Sequence, residues 1–102
     1  MDLAEGHIAT LEYLNNFEDK IVNLNLGTGL GTSVLELIDT FEKVNNVKIS
    51  KNFACRRIGD SCQVVADNSL ALSYLDWSPK RDLEEMCIDG WKWQSLNPQG
   101  YQ

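Results

Sequence analysis

Asn25-Leu26-Gly27-Thr28-Gly29-Leu30-Gly31-Thr32-Ser33-Val34-Leu35-Glu36 decides how the chain is built. An alternating apolar segment runs into three glycines within five residues, and a helix opens directly behind them. Ser33 followed by Glu36 is a capping box, in which each side chain satisfies a backbone N–H of the first helical turn. Before the glycines, Ile21 to Leu26 reads as a strand with Val22, Leu24 and Leu26 on one face and Asn23 and Asn25 on the other. A central parallel strand would be apolar on both faces, so this pattern predicts an edge or last strand. Behind the cap, Val34, Leu37, Ile38, Phe41 and Val44 fall at helical spacing and predict a buried stripe that Asn45-Asn46 ends. Val47 to Ala54 reads as a second strand, with Val47, Ile49 and Phe53 alternating against Lys48, Ser50 and Asn52. Lys51 interrupts its apolar face, which again predicts an exposed edge.

Strand, glycine loop, helix, strand is also the opening of a dinucleotide-binding unit, where backbone amides at a helix N-terminus hold a phosphate. The details argue for a tight turn instead. Thr32 stands where a third glycine would be, and Ser33 already satisfies the helix end that a phosphate would need. No Tyr-x-x-x-Lys pair accompanies it: Phe17 lies four residues after Tyr13, and Ser78 four after Tyr74. No nucleophile and base can be paired from the sequence.

Upstream, residues 2–17 read as an amphipathic helix capped by Asp2, with Leu3, Ala4, His7, Ile8, Leu11 and Leu14 on its apolar stripe. His7 on that stripe is expected to be a partly buried packing residue, because no Ser, Cys or Asp partner is placed beside it. Asn15-Asn16 and Asp19 mark a loop. Downstream, Cys55-Arg56-Arg57-Ile58-Gly59-Asp60 holds the only adjacent arginines. Val64-Val65-Ala66 is a short extended piece, and Asp67 or Ser69 caps a short helix through Leu75. Asp76-Trp77-Ser78-Pro79 is a break. Asp82 caps a last helix with Leu83, Met86, Cys87, Gly90 and Trp91 inward, which Asn97-Pro98 stops. Trp77, Trp91 and Trp93 are expected in core or docking surface.

The chain has 102 residues and a net charge of −6, with 43% hydrophobic and 24% charged residues. One domain is the expectation for that length. The negative balance disfavours nucleic acid and anionic membrane as partners, since both need a cationic face, and it makes the Arg56-Arg57 pair a local exception. Three cysteines, Cys55, Cys62 and Cys87, with no C-x-x-C and with His7 distant, argue against a zinc site or a disulfide framework. Reduced thiols in a cytoplasmic protein are expected. The acidic start Met1-Asp2-Leu3-Ala4-Glu5 does not read as a signal or transit peptide, and no apolar run reaches the length of a membrane span. On these grounds alone, Arg57 and Asp60 would be a surface ion pair worth about 0–1 kcal/mol.

Four stretches change that expectation. Met1-Asp2-Leu3-Ala4-Glu5-Gly6-His7, the run Asn25 to Glu36, the arginine loop, and DLEEMCIDGWKWQSLNPQGY from Asp82 to Tyr101 resemble, in order and with matching spacing, the C-terminal part of the UDP-glucose 4-epimerase family. This family lies within the extended short-chain dehydrogenase/reductase group. The resemblance implies an α/β fold: the C-terminal portion of an extended NAD(P)-binding Rossmann-type fold, a small mixed α/β substrate-binding region with few strands and four helical stretches. It implies that residues 1–102 are a single region. It implies an NAD-dependent isomerase that interconverts UDP-glucose and UDP-galactose through a 4-keto intermediate. The catalytic residues and the NAD-binding glycines would lie upstream of this stretch, so no catalytic residue and no NAD site is expected on it. The stretch then looks like a fragment, inactive alone, of an enzyme that can form a homodimer.

Three residues take roles from the resemblance. Arg57 matches an arginine that contacts the UDP diphosphate, a task suited to a planar, permanently charged fork. Asp60 matches an acid that accepts a hydrogen bond from a ribose hydroxyl. Val64 matches a residue bordering the sugar pocket, often tyrosine or cysteine, and a valine there leaves room for N-acetylated sugars. Two departures stand out: Cys55 replaces a usual proline, and Asp76 replaces a common glycine at a left-handed helix end. A related nucleotide-sugar dehydratase or reductase, or a small interaction domain docking through its tryptophan-bearing last helix, are the alternatives. Strands without neighbours also predict poor stability in isolation.

Overall fold

The computed structural model describes residues 1–16 and 21–101. It contains α1 (Asp2–Asn15), α2 (Val34–Asn45), α3 (Ser69–Leu75) and α4 (Leu83–Leu96). The chain divides into two compact units: Met1–Gly31 with Ser61–Lys80, and Thr32–Asp60 with Arg81–Gln102. The expected end of the first helix at residue 17 and the loop signal at Asp19 lie outside the described residues.

In the first unit α1 packs on α3. The contact face is not the one that the apolar stripe predicts. Gly6 is the buried residue of α1, while Leu3, Ile8 and Leu11 are exposed. Gly6 permits a close approach: a Cβ there would sit 2.9 Å from Leu26 Cδ1 and 3.2 Å from Trp77 Cε2. Small size, rather than hydrophobic weight, therefore chose this face. Tyr13 of α1 stacks on Tyr74 of α3 with centroids 6.0 Å apart and planes 4° apart. Ala71 and Trp77 are buried beside them. The Trp77 indole N–H has no hydrogen-bond partner among the described residues, an omission that costs about 1–3 kcal/mol. His7 is exposed, contrary to expectation, and its Nδ1 donates to the Leu3 carbonyl at 2.7 Å. Lys80 reaches back to α1, its N–H to Asp2 Oδ2 at 3.0 Å and its ammonium to Glu5 Oε2 at 3.6 Å.

In the second unit α2 packs on α4. Phe41 meets Trp91 edge to face, with centroids 5.7 Å apart at 81°. Asn45 Nδ2 donates to the Cys87 carbonyl at 3.2 Å, and Cys87 is the buried residue of α4. Both helices start with complete capping boxes, Ser33 with Glu36 and Asp82 with Glu85. The short α3 differs: Asn68 is its N-cap without a side-chain bond, while Asp67 Oδ1 accepts the Ser69 N–H at 3.0 Å one step earlier. Asn46 and Asp76 end their helices in the left-handed region, each at φ 50.

The expected strands are corrected. Among the described residues there are four helices and no strand, so the mixed α/β expectation is not met. The alternation itself is present. Val22, Leu24 and Leu26 are half-buried and Asn23 and Asn25 exposed; Val47 and Ile49 are half-buried and Lys48 and Ser50 exposed. A strand, however, needs a second backbone to accept its N–H groups. Ile21 to Leu26 lies in one unit and Val47 to Ala54 in the other, and neither finds a partner among the described residues. Side chains hold the second segment instead. Glu42 Oε1 accepts the Ile49 N–H at 2.6 Å, and Lys51 Nζ pairs with Asp39 at 2.9 Å and Glu42 at 4.0 Å. The lysine that interrupted the apolar face is the residue that ties the segment to α2. No helix among the described residues is long and apolar enough to cross a membrane.

Candidate functional site

The arginine loop forms a turn whose geometry its own sequence dictates. Gly59 holds φ +94, the conformation that the third position of a type II turn requires and glycine supplies at low cost. The turn closes with the Asp60 N–H donating to the Arg57 carbonyl at 3.4 Å. The two arginines then diverge. Arg57 Nε donates to Asp60 Oδ2 at 3.3 Å, whereas Arg56 Nη2 donates to the Asp60 backbone carbonyl at 2.7 Å. Ile58 at the tip is fully exposed, and nothing lies within 4 Å of where a Gly59 Cβ would be.

The turn presents chemistry to solvent. The Arg57 side chain is 86% exposed and that of Asp60 46%. Arg57 spends only Nε on the pair, and its Nη groups have no partner among the described residues. Guanidinium Nη groups are the donors that grip phosphate oxygens in a fork. Asp60 keeps Oδ1 unengaged among the described residues, and an ionised carboxylate is an acceptor for hydroxyl groups. An exposed ion pair of this kind is worth about 0–1 kcal/mol, so a ligand that replaces it loses little. The structure thus brings Arg57 and Asp60 together on one turn. Val64 lies in the first unit, is 86% exposed, and is not part of that turn.

The start of α2 is capped from within. Ser33 Oγ accepts the Glu36 N–H at 3.1 Å and Glu36 Oε2 accepts the Ser33 N–H at 2.7 Å, which takes up two of the donors of the first turn and sets a carboxylate beside it. The Ser33 backbone N–H, and after it the Ser33 hydroxyl, hold the Glu36 carboxyl below its ordinary value. The glycine loop packs on its own unit: Asn68 Nδ2 donates to the Gly27 carbonyl at 2.9 Å, and a Cβ on Gly27 would stand 2.8 Å from Ala66 Cβ.

Cys55 and Cys62 are exposed and Cys87 is buried, and burial pushes the Cys87 thiol up from its ordinary value. Among the described residues no cluster of His, Cys, Asp and Glu is arranged for a metal ion. The sequence pattern did not separate Arg56 from Arg57. The resemblance gives a role to Arg57 alone, and the turn geometry adds that Arg56 bonds the backbone.

No family model matches the chain. Individual proteins do. The UDP-glucose 4-epimerase of Bacillus subtilis (strain 168) is 48% identical over 102 residues, covering 100% of this chain and 30% of that protein. The backbone superposes with a TM-score of 0.86 and 36% identity on the crystal structure of the UDP-glucose 4-epimerase from Bifidobacterium longum in complex with NAD+ and UDP, over 98% of this chain and 29% of that one. The UDP-Glc/GlcNAc 4-epimerase from Campylobacter jejuni follows with a TM-score of 0.82 and 34% identity, over 93% and 29% of the two chains. The chain therefore spans about 30% of the length of the curated relatives it matches.

Proposed function

We propose that this chain, which corresponds over its whole length to the C-terminal part of UDP-glucose 4-epimerases, is the UDP-sugar-binding portion of such an isomerase. One observation supports this reading above the rest: a guanidinium with open Nη groups and a carboxylate with an open oxygen, 3.3 Å apart on one exposed turn. Arg57 binds the diphosphate and Asp60 accepts from a ribose hydroxyl. Val64 borders the sugar, and its small side chain admits an N-acetyl group; the likeness to a protein named for both Glc and GlcNAc supports that extension. All of residues 1–102 serve as one substrate-binding region.

In the complete enzyme the reaction inverts C4 of UDP-glucose or UDP-galactose. NAD supplies the redox chemistry and belongs to residues outside this stretch, a reading that the self-capped start of α2 supports. The groups that move protons also belong outside it. What this chain contributes is grip on the nucleotide, which leaves the hexose free to present either face. A homodimer of the complete enzyme and a cytoplasmic location complete the reading.

Mixing the chain with a matching N-terminal epimerase piece tests it. Restored epimerisation of UDP-galactose is expected, and lost when Arg57 is replaced by glutamine. A mixture that neither binds UDP nor epimerises UDP-galactose, beside a stable monomeric chain, would sink the proposal and favour a docking domain. UDP-N-acetylgalactosamine checks Val64: turnover of UDP-galactose alone would refute the open sugar pocket.

A further inference from the structure

We infer that Arg56 is a positioning residue: it holds the Asp60 carbonyl and thereby aims the Asp60 carboxylate, and it is not itself a phosphate ligand. This rests on the nucleotide-binding reading of Arg57 and Asp60.

The turn has little else to fix it. Every residue from 51 to 60 is exposed, and nothing packs where a Gly59 side chain would be. Its backbone bond, Asp60 N–H to Arg57 carbonyl, is long at 3.4 Å, and its ion pair spans 3.3 Å. The shortest contact is the one from Arg56 Nη2 to the Asp60 carbonyl, 2.7 Å, a charge-assisted bond of the stronger kind.

The three contacts also differ in what survives a ligand. The Arg57–Asp60 pair joins the two side chains that a nucleotide would engage, so a diphosphate on the Arg57 Nη groups and a ribose hydroxyl on Asp60 Oδ1 can draw them apart. The Arg56 bond uses a backbone carbonyl, which no nucleotide group requires. Arg56 therefore keeps hold of Asp60 while Arg57 lets go. Two cations side by side divide the work: one is spent on the protein, the other is left for the anion.

Isotope-labelled chain titrated with uridine and with UDP separates these roles, read by the Gly59 and Asp60 amide resonances. Uridine carries the ribose but no phosphate, so it reports Asp60 alone. Arg56→Gln should weaken uridine and UDP by the same factor, about tenfold or more for one lost charge-assisted bond. Arg57→Gln should leave uridine unchanged and bring UDP down toward it. Arg56→Gln that weakens UDP and spares uridine would make Arg56 a phosphate ligand and overturn the inference. So would Arg56→Gln with both affinities intact. Wild-type chain that binds neither compound would remove the nucleotide-binding reading itself, and the inference with it.

Discussion

Gly59 and Gly27 show two different demands that a single residue type meets. Gly59 needs a backbone conformation, φ +94 with open space around it. Gly27 needs the absence of a side chain, because a Cβ would meet Ala66 Cβ at 2.8 Å. Gly59→Ala should cost about 1–2 kcal/mol of turn stability through strain alone, seen as broadened or shifted Asp60 resonances and weaker UDP binding, with the helices unchanged in circular dichroism. The thiols allow a second check at this scale. Cys55 and Cys62 are exposed, and the buried Cys87 has its thiol raised. Alkylation near pH 8 should therefore modify two cysteines quickly and the third only in denaturant; rapid labelling of all three would contradict the packing of α4 on α2. Arg57 and Asp60 were legible in the sequence as a cationic exception with an acid three residues on. The function of Arg56 was not, because it depends on which atom of Asp60 it touches.

The helices were legible element by element, since their signals are local. Ser33 with Glu36 and Asp82 with Glu85 form the boxes that their spacing predicts, and Asn46 and Asp76 take the left-handed ends. Ser33→Ala should destabilise α2 by about 1 kcal/mol, measured as lost helicity and a lower melting temperature; no change would mean that the box is idle. The pH dependence follows from the same contacts. Glu36 and Asp67 are held below their ordinary values by backbone N–H donors. Their stabilisation is thus fully present above the usual 4.5 and 3.8 and fades as pH falls through the lowered values. Lys51 is raised above 10.5, chiefly by its hydrogen bond to Asp39. Its contribution is present below that value and fades as pH rises through the raised one. Helicity followed from neutral to acid should therefore fall as pH drops below the ordinary carboxylate range in the wild type, and by less in Glu36→Gln. The buried face of α1 was not legible, because hydrophobic periodicity marks Leu3, Ile8 and Leu11 while close approach selected Gly6.

At the scale of the whole chain, few residues are interior. Ala71, Trp77 and Cys87 are the buried apolar residues among those described, and Ile21, Phe53, Ile58 and Val64 are largely exposed. With about 25 cal/mol gained per Å² of apolar surface buried, so small an interior leaves each unit marginal. The isolated chain should melt broadly and bind a hydrophobic dye at neutral pH; a sharp, single, cooperative transition of a monomer would overturn this. In the sequence by itself, neighbours a few residues apart were enough to read the four helices, the capping boxes at Ser33 and Asp82, the glycine turn and the pairing of Arg57 with Asp60; the expected caps at Asp2 and at Asp67 or Ser69 were not, since Met1 is the N-cap of α1 and Asn68 that of α3, each without a side-chain bond. The features that were legible rest on hydrogen bonds and sterics within one or two turns of chain. Only the tertiary structure decided that the two alternating segments stay unladdered, that α1 turns Gly6 rather than its leucines inward, and that Lys51 ties its segment to α2. Each of those depends on whether a distant surface or backbone is there to receive the group, and periodicity contains no information about that.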